Sequence, residues 1–353
     1  MKNIVKKVLS AALAASMALS LAACSSGNNA AGSASASGSA GSASQAEGGK
    51  EYKVGIVKFM DHASLDQIES SVQQELDAKS AELGVTFNYA DYTFNGQGDS
   101  TTLNQIAAQL VDDGVDVVVP IATPAAQVMQ SVVTEKDIPI VFAAVSDPVT
   151  AKLVSSMDAP GGTITGVSDA LNTNMIFDMM LAVNPDTQKV GLLYSKSEDS
   201  SRTPIEEAKA YLDGKGIAYL EKTGNTADEV LTAASALVGR VDAVFTPTDN
   251  VIMASEAAVA EILNKAGIPH YTGADSFVAA GAFATCGVNY TALGAQTADL
   301  ALEVLQTGKV PAYQVVSGGI IAVNTDTAAA LQLDYSVFSG MAGTVKELTT
   351  QAD

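Results

Sequence analysis

Residues 118–130 read VVPIATPAAQVMQ and residues 244–256 read VFTPTDNVIMASE. Each is an apolar run that stops at a small polar residue and turns at once into a segment of helical pattern. In parallel α/β sheets, ligands bind beyond the carboxyl ends of the strands, where helix N-termini offer unpaired N–H groups and partial positive charge. Thr123, with Pro124 as first helical residue, is expected to cap a helix whose free amides face an incoming carboxylate. Thr-Pro is equally an efficient helix start with no ligand at all. The junction recurs at Ser146-Asp147-Pro148, at Thr203-Pro204 with Glu206 and Glu207 in the first turn, and at Thr248-Asp249-Asn250. Asp249 and Asp275 follow apolar runs in the second half, where a carboxylate meets a ligand ammonium or caps its own helix. Facing junctions of this kind suit the capture of a small zwitterion.

Competing chemistries find less support. Asp61, His62 and Ser64 are neighbours in FMDHASLD, but a catalytic triad needs convergence in space, and no Gly-x-Ser-x-Gly elbow presents a nucleophile. Ser64 reads as a helix cap. Gly96-Gln97-Gly98 is too short for a nucleotide loop and no P-loop lysine follows it. Two histidines, His62 and His270, and two cysteines, Cys24 and Cys286, form no cluster of metal-ligand spacing. No metal or cofactor is therefore expected. Cys286, inside the apolar run 282–288, reads as a small buried hydrophobe.

The elements that must position these junctions alternate from Glu51 onward. Strands are expected at 53–59, 85–92, 115–121, 138–144, 189–195, 217–223, 241–246 and 269–274. Between them lie apolar residues at helical spacing, such as Leu103, Ile106, Ala107, Leu110 and Val111. The fold class is α/β, with mostly parallel sheets flanked by helices. The pattern occurs twice, with VDVVVPIATP and IPIVFAAVSD in the first half answered by VDAVFTPTD and IPHYTGADS in the second. That duplication predicts two similar lobes. Residues 161–168 (GGTITGVS) are expected to connect them, 282–289 to form another extended connection, and 293–305 to be a long helix ending at Gly308. The connections should act as a hinge.

The N-terminus carries Lys2, Lys6 and Lys7 before an uncharged stretch that ends Leu21-Ala22-Ala23-Cys24. The stretch is too short to span a bilayer comfortably and reads as an export signal over 1–23. Leu-Ala-Ala-Cys resembles the lipobox of bacterial lipoproteins, in which Cys24 becomes the acylated N-terminus, bearing fatty chains such as palmitate. Residues 24–50 are a Gly/Ser/Ala tether too poor in large apolar groups to fold. Its coil reach is on the order of 25–30 Å. The chain has 19 basic and 39 acidic side chains. Loss of 1–23 removes three lysines and no acid, which leaves 16 against 39, a charge of −23. A field of that sign repels phosphate backbones, so nucleic acid is not expected as a partner.

The strings FMDHASLD, NGQGDSTTLNQIA, IATPAAQ, IPIVFAAVSDPV, ITGVSD, KVGLLYSKSEDSS, PTDN and AFATCGVNYTALG, in this order from Tyr52 to about Phe338, resemble the substrate-binding lipoproteins of ABC importers. More narrowly, they resemble the family with tryptophan- and phenylalanine-binding members. The resemblance implies a two-lobed periplasmic-binding-protein type I fold with three interlobe crossings and no catalytic activity. It also implies an ABC permease and its ATPase as partners, a monomer, and lipid anchoring on the extracytoplasmic face of a bacterium, with a lean toward Gram-positive. Lobe 1 is drawn as 51–166 with 289–316, lobe 2 as 167–288 with 317–345, and 346–353 as a C-terminal tail.

Carried over residue by residue, the ligand site comprises Ser64, Thr123, Ser146 and Asp147 in the first lobe. The second lobe adds Ser197, Ser200, Thr248, Asp249, Asn250 and Asp275. Helix-start amides and hydroxyls would hold a carboxylate, and Asp249, with Asp275, an ammonium. Phe59, Phe142 and Tyr194 are set between packing on a ligand ring and packing in the core. With no tryptophan and only Arg202 and Arg240 as arginines, a ligand bearing several negative charges lacks partners. The expected ligand is Trp, Phe or Tyr; a branched-chain amino acid, a nucleoside or another small carboxylate fits the same backbone logic. A sensor of the same fold and a hydrolase using His62 are the rival classes. A lobed repressor is excluded by the export signal and by the absence of a basic helix-turn-helix before Tyr52.

Overall fold

A strand buried on both faces needs an uninterrupted apolar run, and Val117–Ile121 (VVVPI) is buried at every residue. The computed structural model describes residues 49–157, 161–316, 319–341 and 344–351. The expected export signal, Cys24 and the tether up to residue 48 lie outside the described residues.

Fourteen strands are present among the described residues. In chain order they are β1 (Glu51–Lys58), β2 (Thr86–Asn88), β3 (Thr93–Asn95), β4 (Val117–Ile121), β5 (Ile140–Ala143), β6 (Ile164–Ser168) and β7 (Lys189–Tyr194). They continue with β8 (Ala218–Thr223), β9 (Ala243–Thr246), β10 (His270–Thr272), β11 (Ala284–Gly287), β12 (Gln314–Val315), β13 (Ile320–Asn324) and β14 (Val345–Leu348). The helices are α1 (Ala63–Leu83), α2 (Ser100–Asp113), α3 (Thr123–Val133), α4 (Thr173–Val183), α5 (Arg202–Lys215) and α6 (Ala227–Ser235). After them come α7 (Asn250–Met253), α8 (Glu256–Lys265), α9 (Asp275–Ala279), α10 (Tyr290–Thr307) and α11 (Thr325–Leu331).

One sheet runs β12-β6-β5-β4-β1-β2, with β3 also pairing β1, and the other runs β14-β13-β11-β10-β9-β7-β8. Every pairing is parallel except β11 with β13. The chain passes from one sheet to the other three times, between β6 and β7, β11 and β12, and β12 and β13. This is the two-lobed type I periplasmic-binding-protein architecture. Helix α10, although it follows β11 of the second sheet, returns to pack on α1. The approach is close enough that a Cβ at Gly294 would lie 2.6 Å from the Ser71 Cβ and 2.7 Å from the Ile68 carbonyl oxygen. The second lobe is centred on aromatic rings, with Phe177 and Phe245 at 5.0 Å and Tyr271 edge-on to Phe283 at 5.3 Å. Cys286 is buried in this core as a free thiol.

Several sequence expectations are corrected here. Residues 85–92 are not one strand: β2 and β3 both pair β1, separated by a 3₁₀ turn at Ala90–Tyr92. Asn88 and Asp91 bond each other there at 3.1 Å, a local alternative to the ladder. The stretch 161–168 is more than a connection, because Ile164–Ser168 is a buried strand laddered to β5. Likewise 282–289 contains β11, held between β10 and β13. Of the expected tail 346–353, the residues up to Leu348 belong to β14, which covers the open edge of β13, and 352–353 lie outside the described residues. Of the two roles left open to Phe59, Phe142 and Tyr194, the structure shows core packing: all three are buried, Phe142 lies against Tyr313 at 6.2 Å, and the Tyr194 hydroxyl donates to Glu221 at 2.7 Å.

Candidate functional site

The carboxyl ends of β6, β5, β4 and β1 stand in a row, and the residues that follow them form one wall of a cavity between the lobes. From β4 the chain turns through Ala122 (φ 82°) into α3, and from β5 it turns through Ala144 (φ 54°). Positive φ is costly for a residue with a Cβ and persists where surrounding bonds over-determine it. Here they do: the Ala122 amide donates to Ala143 O and the Ala144 amide to Val167 O, both at 3.0 Å. Helix α3 has no side-chain cap, and its first intrahelical bond is Ala126 N to Ala122 O. The amides of Thr123 and Ala125 therefore have no partner within the helix. Thr123 is inside the helix rather than its cap, and its buried hydroxyl has no partner among the described residues. Ser64 is likewise not a cap. Helix α1 starts after His62, and the Ser64 hydroxyl is buried without a partner among the described residues.

Beyond β6 lies Asp169, a lining residue that is only 4% exposed. Its carboxylate accepts from the Ser146 hydroxyl at 3.0 Å and from Tyr290. The turn that carries it is fixed by Ser168, whose hydroxyl donates to Ser146 O at 3.1 Å and accepts from Ala170 N. Burial pushes the Asp169 carboxyl up to about 6, although both hydroxyl bonds oppose the rise.

The facing wall comes from the β9 and β10 junctions. Thr248, Asp249 and Asn250 line the cavity, as do Ser276, Phe277 and Met253. The Ser276 hydroxyl and the His62 Nδ1 are buried without partners among the described residues. Asp249 is 1% exposed and caps α7. Its Oδ1 accepts from Ile252 N at 3.0 Å, and its Oδ2 accepts from Ser195 N and the Ser201 hydroxyl, both at 2.6 Å. Its oxygens are thus largely engaged within its own lobe, unlike those of a residue free to take an ammonium. Glu198 is buried beside it, and burial together with the Asp249 charge raises the Glu198 carboxyl. Burial raises the Asp249 carboxyl as well, and the bonds from Ser201, Ser195 and Ile252 oppose that rise.

The lobes are in contact across the cleft. Ser146 meets Thr248 at 3.1 Å, His62 Nε2 meets Asn250 Oδ1 at 3.3 Å, the Thr203 hydroxyl donates to Asp147 at 2.7 Å, and Gln127 donates to Asp199 at 2.8 Å. This is a closed cleft.

Of the residues expected from sequence, Ser64, Thr123, Ser146 and Ser200 line the cavity together with the triplet from 248 to 250. Three do not. Asp147 caps its own turn and latches Thr203. Ser197 is exposed and bonded to Ser195 at 2.6 Å. Asp275 is paired with Lys346 at 2.9 Å. The structure adds Asp169, Tyr290, Phe277, Ser276 and His62 to the wall. The hydrolytic constellation does not form: Asp61 pairs with Lys58 at 2.9 Å, and His62 turns to Asn250. No group of metal-ligating side chains occurs among the described residues.

Comparison with known proteins agrees with this geometry. The family model described as ABC transporter substrate binding protein matches residues 53–337. A tyrosine-binding protein of Clostridioides difficile is 34% identical over 287 residues, which cover 80% of this chain and 82% of that protein. The crystal structure of an ABC domain in complex with L-Trp from Streptococcus pneumoniae superposes with a TM-score of 0.77 at 32% identity, covering 84% of this chain and all of that one. A ligand-free, open structure of a substrate-binding protein with adhesive properties from Clostridium difficile gives 0.66 at 28% identity, covering 85% of this chain and all of that one.

Proposed function

The chain belongs to the family of ABC transporter substrate-binding proteins, and we propose that it captures an aromatic amino acid in the interlobe cleft for delivery to a membrane permease. One observation carries the reading: buried donors without partners among the described residues share one wall of a single cavity with a buried carboxyl. Thr123 and Ser64 contribute free hydroxyls and the start of α3 contributes free amides. Together they are suited to a carboxylate. Asp169, two strands along the row, is suited to an ammonium. Leu65, Met253 and Phe277 offer apolar wall to a side chain. The aromatic assignment is supported by the tyrosine-binding relative and by the L-Trp complex.

Members of this family act outside the cytoplasm. Anchoring through acylated Cys24 on a Gram-positive surface, with the tether giving the domain its reach, fits that setting and supports a monomer serving an ABC permease and its ATPase. Binding without turnover fits a wall in which His62 and Ser64 are not in a proton relay.

The test is a thermal-shift screen of the chain lacking residues 1–23 against the amino acids, with nucleosides and small carboxylates as controls. A ligand at a thousand times its Kd adds about 4 kcal/mol of stability. A raised midpoint with Tyr, Trp or Phe is expected. A response to a control alone, with none from any amino acid, refutes the zwitterion reading.

A further inference from the structure

The donors and acceptors facing the cleft do not balance for a ligand that is only a zwitterion with an apolar side chain. Ser64, Thr123 and Ser276 present hydroxyls without partners among the described residues, and α3 presents free amides. All of these can donate to a carboxylate. Two groups can only accept: the Asp169 carboxylate and the Nδ1 of His62.

The direction of every bond around His62 is fixed by its neighbours. The Ser200 hydroxyl and the Asn250 Nδ2 both donate to Glu198 Oε2 at 3.0 Å. Asn250 therefore turns its carbonyl oxygen toward His62, whose Nε2 lies 3.3 Å away and must carry the hydrogen. A neutral imidazole with its hydrogen on Nε2 has a bare lone pair on Nδ1. Burial keeps the ring neutral by lowering its pKa. That lone pair is sealed from solvent and has no partner among the described residues, on a residue that lines the cavity.

An ammonium held by Asp169 is badly placed to satisfy it. Asp169 follows β6 and His62 follows β1, with β5 and β4 between them. Three strand spacings separate the ends of β6 and β1 by about 14 Å. We infer that His62 Nδ1 accepts a hydrogen bond from a donor on the ligand's side chain, so that the cleft selects a ring bearing O–H or N–H, as in tyrosine or tryptophan, against phenylalanine. This rests on the aromatic amino acid reading above and narrows it.

Leaving a buried acceptor unpaired costs about 1–3 kcal/mol, which is about 5- to 140-fold in affinity. Calorimetric titration of the purified protein with Tyr, Trp and Phe should therefore show Phe weaker than at least one of the others by that factor. In His62→Phe the lone pair is gone, and the preference among the three ligands should collapse. Nitrogen NMR of the unsubstituted protein gives a readout that needs no variant: the His62 Nδ1 resonance should move toward a hydrogen-bonded value on adding the preferred ligand and not on adding Phe. Equal affinity for all three, or a preference that survives His62→Phe, overturns the inference while leaving the aromatic reading intact. Failure of all three to bind overturns both.

Discussion

Replacing Asp169 with asparagine separates ligand binding from folding, because the two respond with opposite signs. Burial raises this carboxyl from an ordinary 3.8 to about 6, so its ionised form is disfavoured in the unliganded protein. The rise corresponds to about 3 kcal/mol. That stability is present below 3.8, where folded and unfolded states are both protonated, and is lost as the pH rises toward 6. The amide keeps the shape without the charge, so at pH 7.5 the unliganded Tm of Asp169→Asn should hold or rise. With a ligand ammonium in place the sign reverses. Removing one partner of a buried charge pair costs about 2–5 kcal/mol, or about 30- to 4,000-fold in Kd. The unsubstituted protein should also bind less tightly as the pH falls below about 6, approaching tenfold per pH unit, because the ammonium selects the carboxylate form. In Asp169→Asn that pH dependence should vanish. Calorimetry at several pH values, with thermal melts in parallel, reads all three. An unchanged Kd in a variant of normal Tm refutes the assignment of the ammonium to Asp169, and a fall in Tm marks the residue as structural instead.

Further outcomes follow from other parts of the same site. Ala122→Gly relieves a positive φ of 82°, worth about 1–3 kcal/mol, against about 0.4–1 kcal/mol of added unfolded-chain entropy. Urea unfolding should show a net gain near 1 kcal/mol, and a net loss would mean the turn is unstrained. Thr203→Val removes the latch to Asp147 without touching the cavity wall. At about 0.5–1.5 kcal/mol for one hydrogen bond, it should weaken ligand binding about 2- to 12-fold through faster release. Stopped-flow dissociation rates equal to those of the unsubstituted protein would count against a closing role. Cys24→Ser should leave the Kd unchanged and release the protein from membranes; retention in the membrane fraction would refute acylation as the anchor.

How much of this was legible in the sequence depended on whether each strand was recognised as a strand. The β4, β5 and β9 runs are long and continuous, and the strand-end rule led from them to Thr123, Ser146, Thr248 and Asn250, all in the wall. Asp169 and Tyr290 obey the same rule, one directly after β6 and the other three residues after β11. They were missed because GGTITGVS and AFATCGVN carry glycines and read as connections. Glycine is tolerated inside β6 for a packing reason that a single sequence cannot display: a Cβ at Gly166 would lie 2.2 Å from the Phe142 carbonyl oxygen. The choice of Asp249 over Asp169 failed differently. Both are acids at strand ends, and only the fold reveals that Ser195 and Ser201, some fifty residues away in sequence, have already taken the Asp249 oxygens.

The geometry also explains why a ligand governs the state of the cleft. Among the direct hydrogen bonds between the lobes, four lie at 2.7–3.3 Å, worth about 0.5–1.5 kcal/mol each. The closed cleft also holds three hydroxyls and one imidazole nitrogen buried without partners among the described residues, at about 1–3 kcal/mol each. The second sum opposes the first and is the larger, so these groups disfavour an empty closed cleft. A ligand that satisfies the unpartnered groups removes the opposing sum at once and shifts the population by several kcal/mol, whereas one that leaves any of them unpaired forfeits that part of the shift. Recognition and closure are then the same event, since the groups that make an empty closed cleft unfavourable are those that identify the molecule inside it.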